Sequence, residues 1–396
     1  MAQPGHTAWA RRVSAMAVIA ATGVAVIYIP QPIQTLVALE FGVNASAAAA
    51  ATVAVQAGYA LGVVLLVSLG DRFSARSQVT VQLVATSFAL AAAAASPAFT
   101  VFVVLCFVAG ATATVGQLLV SAALRLTPPE ARARTTAVLV GSFLVGLFVV
   151  RTSLGMVAGL IGWRGALVAC ALLVLAIVPL SLRFSPAERP VEPPSYASIL
   201  GSIPRIVAAS PTLRLMTAVH VLCFASFISL WSMTTVYAVT ELGLTVTPAS
   251  LVGLAGLLGG VATIAAAPLH ARVGTRRSLT ICIAAALVGA LLVATLPTVL
   301  AVVLLALFLV SAGVSGEQVS TQAVALASVD PSENGRANTV YMAATFLGGS
   351  LATALGAQLF LLAGYAAVGI MGAVLLVSAA SLAIVANRRG MLSPAR

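Results

Sequence analysis

Apolar stretches of about twenty residues recur along the full length of the chain, and almost no charged residue interrupts them. That pattern fixes the solvent before it fixes the fold. A hydrocarbon core of roughly 30 Å is crossed by about twenty apolar helical residues. Only 7% of the 396 residues are charged and 61% are hydrophobic. A soluble domain carries roughly 25% charged residues, so this chain cannot clothe itself in polar groups. The alternating ten-residue strands of an outer-membrane barrel are absent. The expectation is an all-α integral membrane protein. The apolar run after Arg11 and Arg12 reads as a retained first helix, because further spans follow it to the end.

Twelve spans are expected, near 13–36, 47–69, 78–96, 100–123, 136–160, 165–182, 214–238, 248–269, 278–296, 300–327, 337–362 and 367–386. All twenty basic residues are arginine, and eighteen of them fall in the terminal tails, in the even-numbered connections or, as Arg214, at the first residue of the span that follows one. The positive-inside rule then places both termini in the cytoplasm, with the plasma (inner) membrane as the expected location. The net charge of +11 is therefore a topology signal, and no nucleic-acid partner is expected. The four cysteines each lie in a different span without metal or disulfide spacing, and read as packing residues.

The longest polar connection, Arg183 to Arg205, divides the spans six and six. The expected units are a first bundle at 1–182, a linker at 183–213 and a second bundle at 214–396. The halves echo one another. LGDRFSAR at Leu69 answers LHARVGTR at Leu269, EFGV at Glu40 answers ELGL at Glu241, and GW at Gly162 answers GY at Gly364. Offsets of 200 to 202 residues leave insertions only in loops.

Polar stripes inside the spans mark a water-filled path, since such groups are costly against lipid. Gly110, Thr114, Gln117 and Ser121 share one face of span four; Ser311, Ser315, Gln318 and Gln322 share the equivalent face of span ten. In span one Tyr28, Gln31 and Thr35 form a third stripe beside the helix breakers Pro30 and Pro32, and Ser229 and Ser232 answer it in span seven. Hydrogen bonding between helices is the plainer reading of these stripes; a shared substrate cavity is the sharper one. The groups are mostly neutral with few aromatics, which suits an uncharged or amphipathic solute.

Two charges fall within spans. Glu317 and Arg151 sit roughly 15 and 22 Å from the inner ends of their helices at 1.5 Å per residue. Such residues are functional candidates by default. Glu317 is expected to carry a proton and Arg151 to bias it, if the two meet; a static pair is the alternative. His220 in span seven is a weaker candidate for the same role.

Leu69, Asp71, Arg72 and Arg76 match the signature G-x-L-x-D-R-x-G-x-R, and here the chain resembles the major facilitator superfamily. Val67 and Ser74 replace the two signature glycines, and the second copy has Ala271 in place of the acid. YIPQP, GYALG, RTSLG, GWR and RANTVYMAATFLGG are similar to a branch of bacterial predicted arabinose-efflux or multidrug permeases. The resemblance implies parallel six-helix repeats, with spans one, four, seven and ten around a central cavity. It also implies a gate in which Asp71, with Arg72 and Arg76, meets the start of span eleven at Arg336. Span five has the glycines of the family's antiport run without its proline, and Cys106 stands where proton-coupled members often have arginine.

The expected activity is secondary transport of a small solute by alternating access, with proton-coupled efflux favoured over uptake and a non-transporting receptor or scaffold as a remote alternative. No cofactor is expected, and the partners are the solute, protons and lipid around a monomer. No enzyme is expected: the chain has no lysine for a phosphate-binding loop or a Schiff base, and no H-E-x-x-H or G-x-S-x-G.

Overall fold

The computed structural model describes residues 6–127, 129–188, 195–330 and 333–392. Among them the regular structure is helical. In chain order the α-helices are α1 (His6–Ala25), α2 (Pro30–Phe41), α3 (Ala45–Ala48), α4 (Ala50–Gly62), α5 (Ala75–Ala94), α6 (Phe99–Thr112), α7 (Val115–Leu126), α8 (Pro129–Ala176), α9 (Val178–Phe184), α10 (Tyr196–Ala209), α11 (Pro211–Thr240), α12 (Val246–Leu251), α13 (Gly253–Val273), α14 (Thr275–Thr295), α15 (Leu300–Ala327) and α16 (Asn334–Arg388).

Ten helical segments among the described residues are long and apolar enough to cross a membrane. Two are far too long for one crossing. The 48 residues of α8 and 55 of α16 would run about 70 and 80 Å at 1.5 Å per residue. Each is broken at a glycine: Gly162 has φ 76° and ψ 162°, and Gly364 has φ 70° and ψ −169°. Only glycine adopts such angles without strain. The surface is inverted relative to a soluble protein, with Phe88, Leu351 and Val374 mostly exposed.

The internal repeat reappears in the backbone. Gly42 and Gly243 both take a left-handed φ, 64° and 66°. Each closes a helix end in the same way, with Val43 N–H donating to the Ala38 carbonyl and Leu244 N–H to the Ala238 carbonyl, both at 3.0 Å. Acids sit at the glycine breaks in both halves. Glu40 accepts from Trp163 Nε1 at 2.5 Å and Arg164 Nε at 2.8 Å, while Glu241 lies beside Gly364. The repeat has drifted at residue 74: Ser74 is extended and caps α5 by accepting from Ser77 N–H, whereas its counterpart Gly274 has φ 80°.

Three helices are interrupted, for different reasons. Pro30 and Pro32 lack the N–H groups that would bond the Val26 and Tyr28 carbonyls. Residues Val26–Tyr28 therefore tighten into a 3₁₀ turn, in which Ile29 N–H donates to the Val26 carbonyl at 3.2 Å. Span four breaks at Ala113, between α6 and α7. The end of span two widens into a π-helical turn at Val63–Val67, and the Leu65 carbonyl accepts a hydrogen bond from the Tyr196 hydroxyl at 2.9 Å. That tyrosine belongs to α10, within the stretch expected to be linker. At its other end Arg205 reaches Glu333, just before α16, at 3.5 Å. So α10 touches both halves of the chain at the arginine-rich end.

Helices α4 and α6 approach one another closely. A Cβ on Gly58 or Gly110 would stand 2.1 Å from the Phe107 carbonyl oxygen or 2.0 Å from that of Val55. GYALG is thus a contact surface where backbones touch, the use to which small residues are put in lipid. Overpacking a tight site costs about 1–3 kcal/mol, and here backbone must yield. Gly110→Ala is expected to lower the melting temperature and monodisperse yield in detergent. Gly201→Ala, with nothing within 4 Å of the added carbon, should leave both unchanged or raise them.

Candidate functional site

Where residues before the α10 linker meet those after it, polar side chains form a buried seam. At the end away from the arginines, Gln31 at the start of α2 donates through Nε2 to Ser232 Oγ of α11 at 3.4 Å. Arg151 of α8 donates through one terminal nitrogen to Gln31 Oε1. Its other terminal nitrogen donates to the Trp231 carbonyl at 2.8 Å and to Thr235 Oγ1 at 3.2 Å. The guanidinium lies 4.5 Å over the Trp231 ring. Further along, Thr353 Oγ1 of α16 donates to Gln56 Oε1 of α4 at 3.3 Å. Towards the arginine-rich end, Gln322 donates to Asn338 at 2.7 Å, and Asn338 donates across the seam to Gln117 at 3.4 Å.

Aromatic rings fill the seam between these links. Tyr59 meets Phe346 at 4.4 Å, Phe346 meets Phe224 at 5.2 Å, Phe224 meets Phe227 at 6.0 Å, and Phe227 stacks on Trp231 at 5.4 Å. The ladder runs between the two halves and ends under Arg151. Sequence reading expected few aromatics here. Phe224, Phe227 and Trp231 stand three and four apart, a helical face that apolar neighbours on every side obscure in the sequence.

The stripe residues divide by where they point. Gln31, Ser232, Gln117 and Gln322 belong to the seam networks. Thr114 instead donates to Gln82 of α5 at 3.0 Å, and Ser311 to the Gly256 carbonyl of α13 at 2.9 Å; both bonds lie inside their own half. Ser121 and Ser229 bond backbone carbonyls of their own helices, Gln117 at 3.1 Å and Ser226 at 3.0 Å. Tyr28 is buried, while Thr35, Ser315 and Gln318 are half-buried. The seam is closed around Arg151, where Gln31, Ser229 and Ser232 are all 0% exposed, and half-buried at Gln322 and Asn338. A pocket of about 380 Å³ lies elsewhere, between Trp9, Arg12, Arg76, Arg183, Phe184 and Glu188. None of its lining residues belongs to the seam networks.

Arg151 and Glu317 do not meet. Glu317 lies inside the second half, with Oε2 2.9 Å from His220 Nδ1 and Oε1 accepting from Thr321 Oγ1 at 2.8 Å. The Thr321 hydroxyl is 2.8 Å from that of Tyr341, whose ring stacks on His220 at 4.9 Å. His220, Glu317, Thr321 and Tyr341 are all 0% exposed. The expectation that Arg151 biases Glu317 is corrected: Glu317 faces α11 and α16, and Arg151 turns to α2 and α11. His220 is the acid's partner. Its signal was present, since a lone histidine and a lone acid in one apolar half need each other, but ninety-seven residues separate them.

At the expected gate, the side chain of Asp71 lies outside the description. The backbone of Val63–Val67 packs against α16 and that of Ser68–Asp71 against α10. Arg72 is exposed, and Arg76 donates from Nε to the Ser185 carbonyl at 3.3 Å and from its backbone N–H to the Pro186 carbonyl at 2.7 Å. It therefore pins the start of the linker. Arg336 is half-buried in the first turn of α16. Gly159, from span five, faces Thr247 of α12 so closely that a Cβ would stand 2.6 Å from its hydroxyl.

The family model described as Major Facilitator Superfamily matches residues 13–353 and 216–393. The chain is 30% identical over 348 residues to the probable transporter SCO4007 of Streptomyces coelicolor, covering 87% of this chain and 80% of that one. It is 28% identical over 233 residues to the uncharacterized transporter YgaY of Escherichia coli O157:H7, and spans 59% of that relative's length and 59% of its own. Among solved structures, the nucleoside transporter NupG (D323A mutant) superposes with a TM-score of 0.74 at 11% identity, covering 96% of this chain and 100% of that one. The human organic anion transporter MFSD10 gives 0.72 at 17%, with the same coverage. At these identities the likeness is one of fold.

The Asn338–Gln117 bond joins the halves, and a double-mutant cycle isolates it. Thermal unfolding of Gln117→Ala, Asn338→Ala and the double variant is expected to give a coupling of about 0.6 kcal/mol, the average for such bonds in lipid. Strict additivity would mean the bond is not made.

Proposed function

The chain belongs to the major facilitator superfamily, and from that premise we propose a twelve-span secondary transporter that moves a small solute by alternating access, with proton-coupled efflux as its direction. Counting α8 and α16 as two crossings each gives the twelve. The units proposed are bundles at 1–182 and 214–396 joined by the linker 183–213, in a monomer with both termini cytoplasmic in the plasma (inner) membrane. The arginine distribution supports that orientation.

One observation carries the reading: the seam between the halves is joined by a few separate polar bonds of 3.3–3.4 Å with aromatic rings between them. Bonds such as Gln31–Ser232, Thr353–Gln56 and Asn338–Gln117 are weak individually and can be traded for water or for solute hydroxyls and carbonyls. Rocking the halves would break the set at one end while the other holds. Asp71, Arg72, Arg76 and Arg336 are proposed as the gate at the arginine-rich end, with α10 spanning it as a strap.

Glu317 and His220 supply the coupling proton site. If His220 donates from Nδ1 to the carboxylate, Nε2 is left with an open lone pair, and that nitrogen has no partner among the described residues. One proton taken there turns a buried pair of net charge −1 into a neutral imidazolium carboxylate. A lone buried charge costs several kcal/mol, so the proton-loaded and empty forms differ in what surroundings they tolerate. Thr321 and Tyr341 hold the carboxylate and the ring in place. Because α11 and α16 also line the seam, the pair's charge acts on the elements that move.

The test is a solute panel on proteoliposomes with an imposed pH gradient. The wild-type protein is expected to accumulate its solute against a concentration gradient. Glu317→Gln should retain exchange at equal concentrations while losing gradient-driven accumulation at least tenfold. Accumulation that survives in Glu317→Gln would remove the proton role.

A further inference from the structure

Arg151 is 1% exposed, yet no carboxylate among the described residues lies within ion-pair distance. Its contacts are an amide oxygen, a main-chain carbonyl, a hydroxyl and the face of Trp231. These are all neutral. Removing a charge from water costs several kcal/mol unless an opposite charge and complete hydrogen bonding compensate. Here neither holds: Arg151 Nε is buried without an acceptor. Every other ion pair found among the described residues has both partners. What sets Arg151 apart among the described arginines is that it is buried with no acid beside it, at the meeting of the two halves.

A second buried donor lies in the same seam. Gln56 accepts from Thr353 through Oε1, but its Nε2 has no partner among the described residues. Between these two donors' helices runs the aromatic ladder from Tyr59 to Trp231. The seam thus offers one guanidinium N–H, at Arg151 Nε, and one amide N–H, at Gln56 Nε2, that lack acceptors, beside apolar flat surfaces. A guanidinium fork matches a carboxylate with two parallel hydrogen bonds, and ring faces accept an aromatic or flat apolar body by offset or edge contact.

We infer that this seam is a binding site for small aromatic monocarboxylates, with the carboxylate on Arg151 and the ring among Phe224, Phe227, Phe346 and Trp231. This narrows the uncharged or amphipathic solute expected from sequence and rests on the transport reading above. In the closed form Gln31 Oε1 and the Trp231 carbonyl occupy the donors that the ligand would take. The ligand therefore competes with the bonds that shut the seam at this end. That competition gives it the differential affinity for an open form that alternating access requires.

The test uses full-length protein in detergent micelles and reads binding alone. Wild type, Arg151→Lys, Arg151→Gln and Glu317→Gln are titrated with benzoate, 1-naphthoate and indole-3-acetate, each against its neutral amide, by thermal shift and tryptophan fluorescence. At least one carboxylate is expected to stabilise the wild type saturably, with its amide at least tenfold weaker. Arg151→Gln should lose at least tenfold in affinity. Arg151→Lys should fall between, because the charge stays and the fork is lost. Amides that bind as well as their acids, an Arg151→Gln variant within twofold of wild type, or no response to any acid would each overturn the site. The wild-type comparison of acid with amide stands even if Arg151→Gln does not fold. Binding lost in Arg151→Gln and kept in Glu317→Gln supports the anion site whatever the coupling assay shows. Gradient-driven movement of another solute with no acid bound would leave transport standing and remove the anion site.

Discussion

Hydrocarbon offers no hydrogen-bond partner, and that one constraint organises the molecule. Each helix satisfies its own backbone, so a break is tolerable only where something else takes over. The breaks here follow that rule. The 3₁₀ turn before Pro30 is wholly buried, beside the polar start of α2. The π-helical turn gives its Leu65 carbonyl to Tyr196. At Gly162 the chain turns where Glu40, Trp163 and Arg164 close a polar cluster at one end of the helices. At Leu65 a polar side chain supplies the partner that irregular backbone lacks.

The same constraint separates the two intramembrane charges. Glu317 is enclosed by partners within the second half, His220 and Thr321. Arg151 is held by neutral groups drawn from α2 and α11, with one N–H unserved. An enclosed, titratable pair suits a coupling site, which must stay dry while its charge changes. A cation with an unfilled donor at a parting seam suits a recognition site, which must be emptied and refilled. Helix α11 contacts both, through His220 at one level and Trp231 and Thr235 at another, and α16 contacts the ladder through Phe346 and the Glu317–His220 pair through Tyr341. Charge at one site and occupancy of the other therefore bear on the same two helices.

Much of this was legible beforehand, and the reasons are local. The glycines of EFGV, ELGL, GW and GY, legible as marks of the repeat, sit at the backbone turns because only glycine reaches those angles cheaply. Pro30 and Pro32 foretold the break in span one. Gln31, Ser232, Gln117 and Gln322 were visible as stripes because polar residues stand out against an apolar background. Thr114 and Ser311 carried the same signal and face inward within their halves, since helical periodicity gives a face and not its neighbour. The aromatic ladder was invisible for the opposite reason: Phe224 and Phe227 are apolar among apolar residues. Asn338, which bridges Gln322 and Gln117, was passed over as part of a quoted motif.

The amino-acid sequence by itself determined the solvent, the helical class, the two-fold repetition and the short supply of charge, because these follow from composition and spacing along one chain. Only the tertiary structure decided which polar groups share a partner. Glu317 could have met Arg151 by depth alone; it met His220 because α11, α15 and α16 pack together, while Arg151 reaches α11 at Trp231 and Thr235. Pairing across 97 or 120 residues depends on the rotation of each helix about its axis. That rotation is set by how all the apolar faces fit at once, a property that no single stretch of sequence contains.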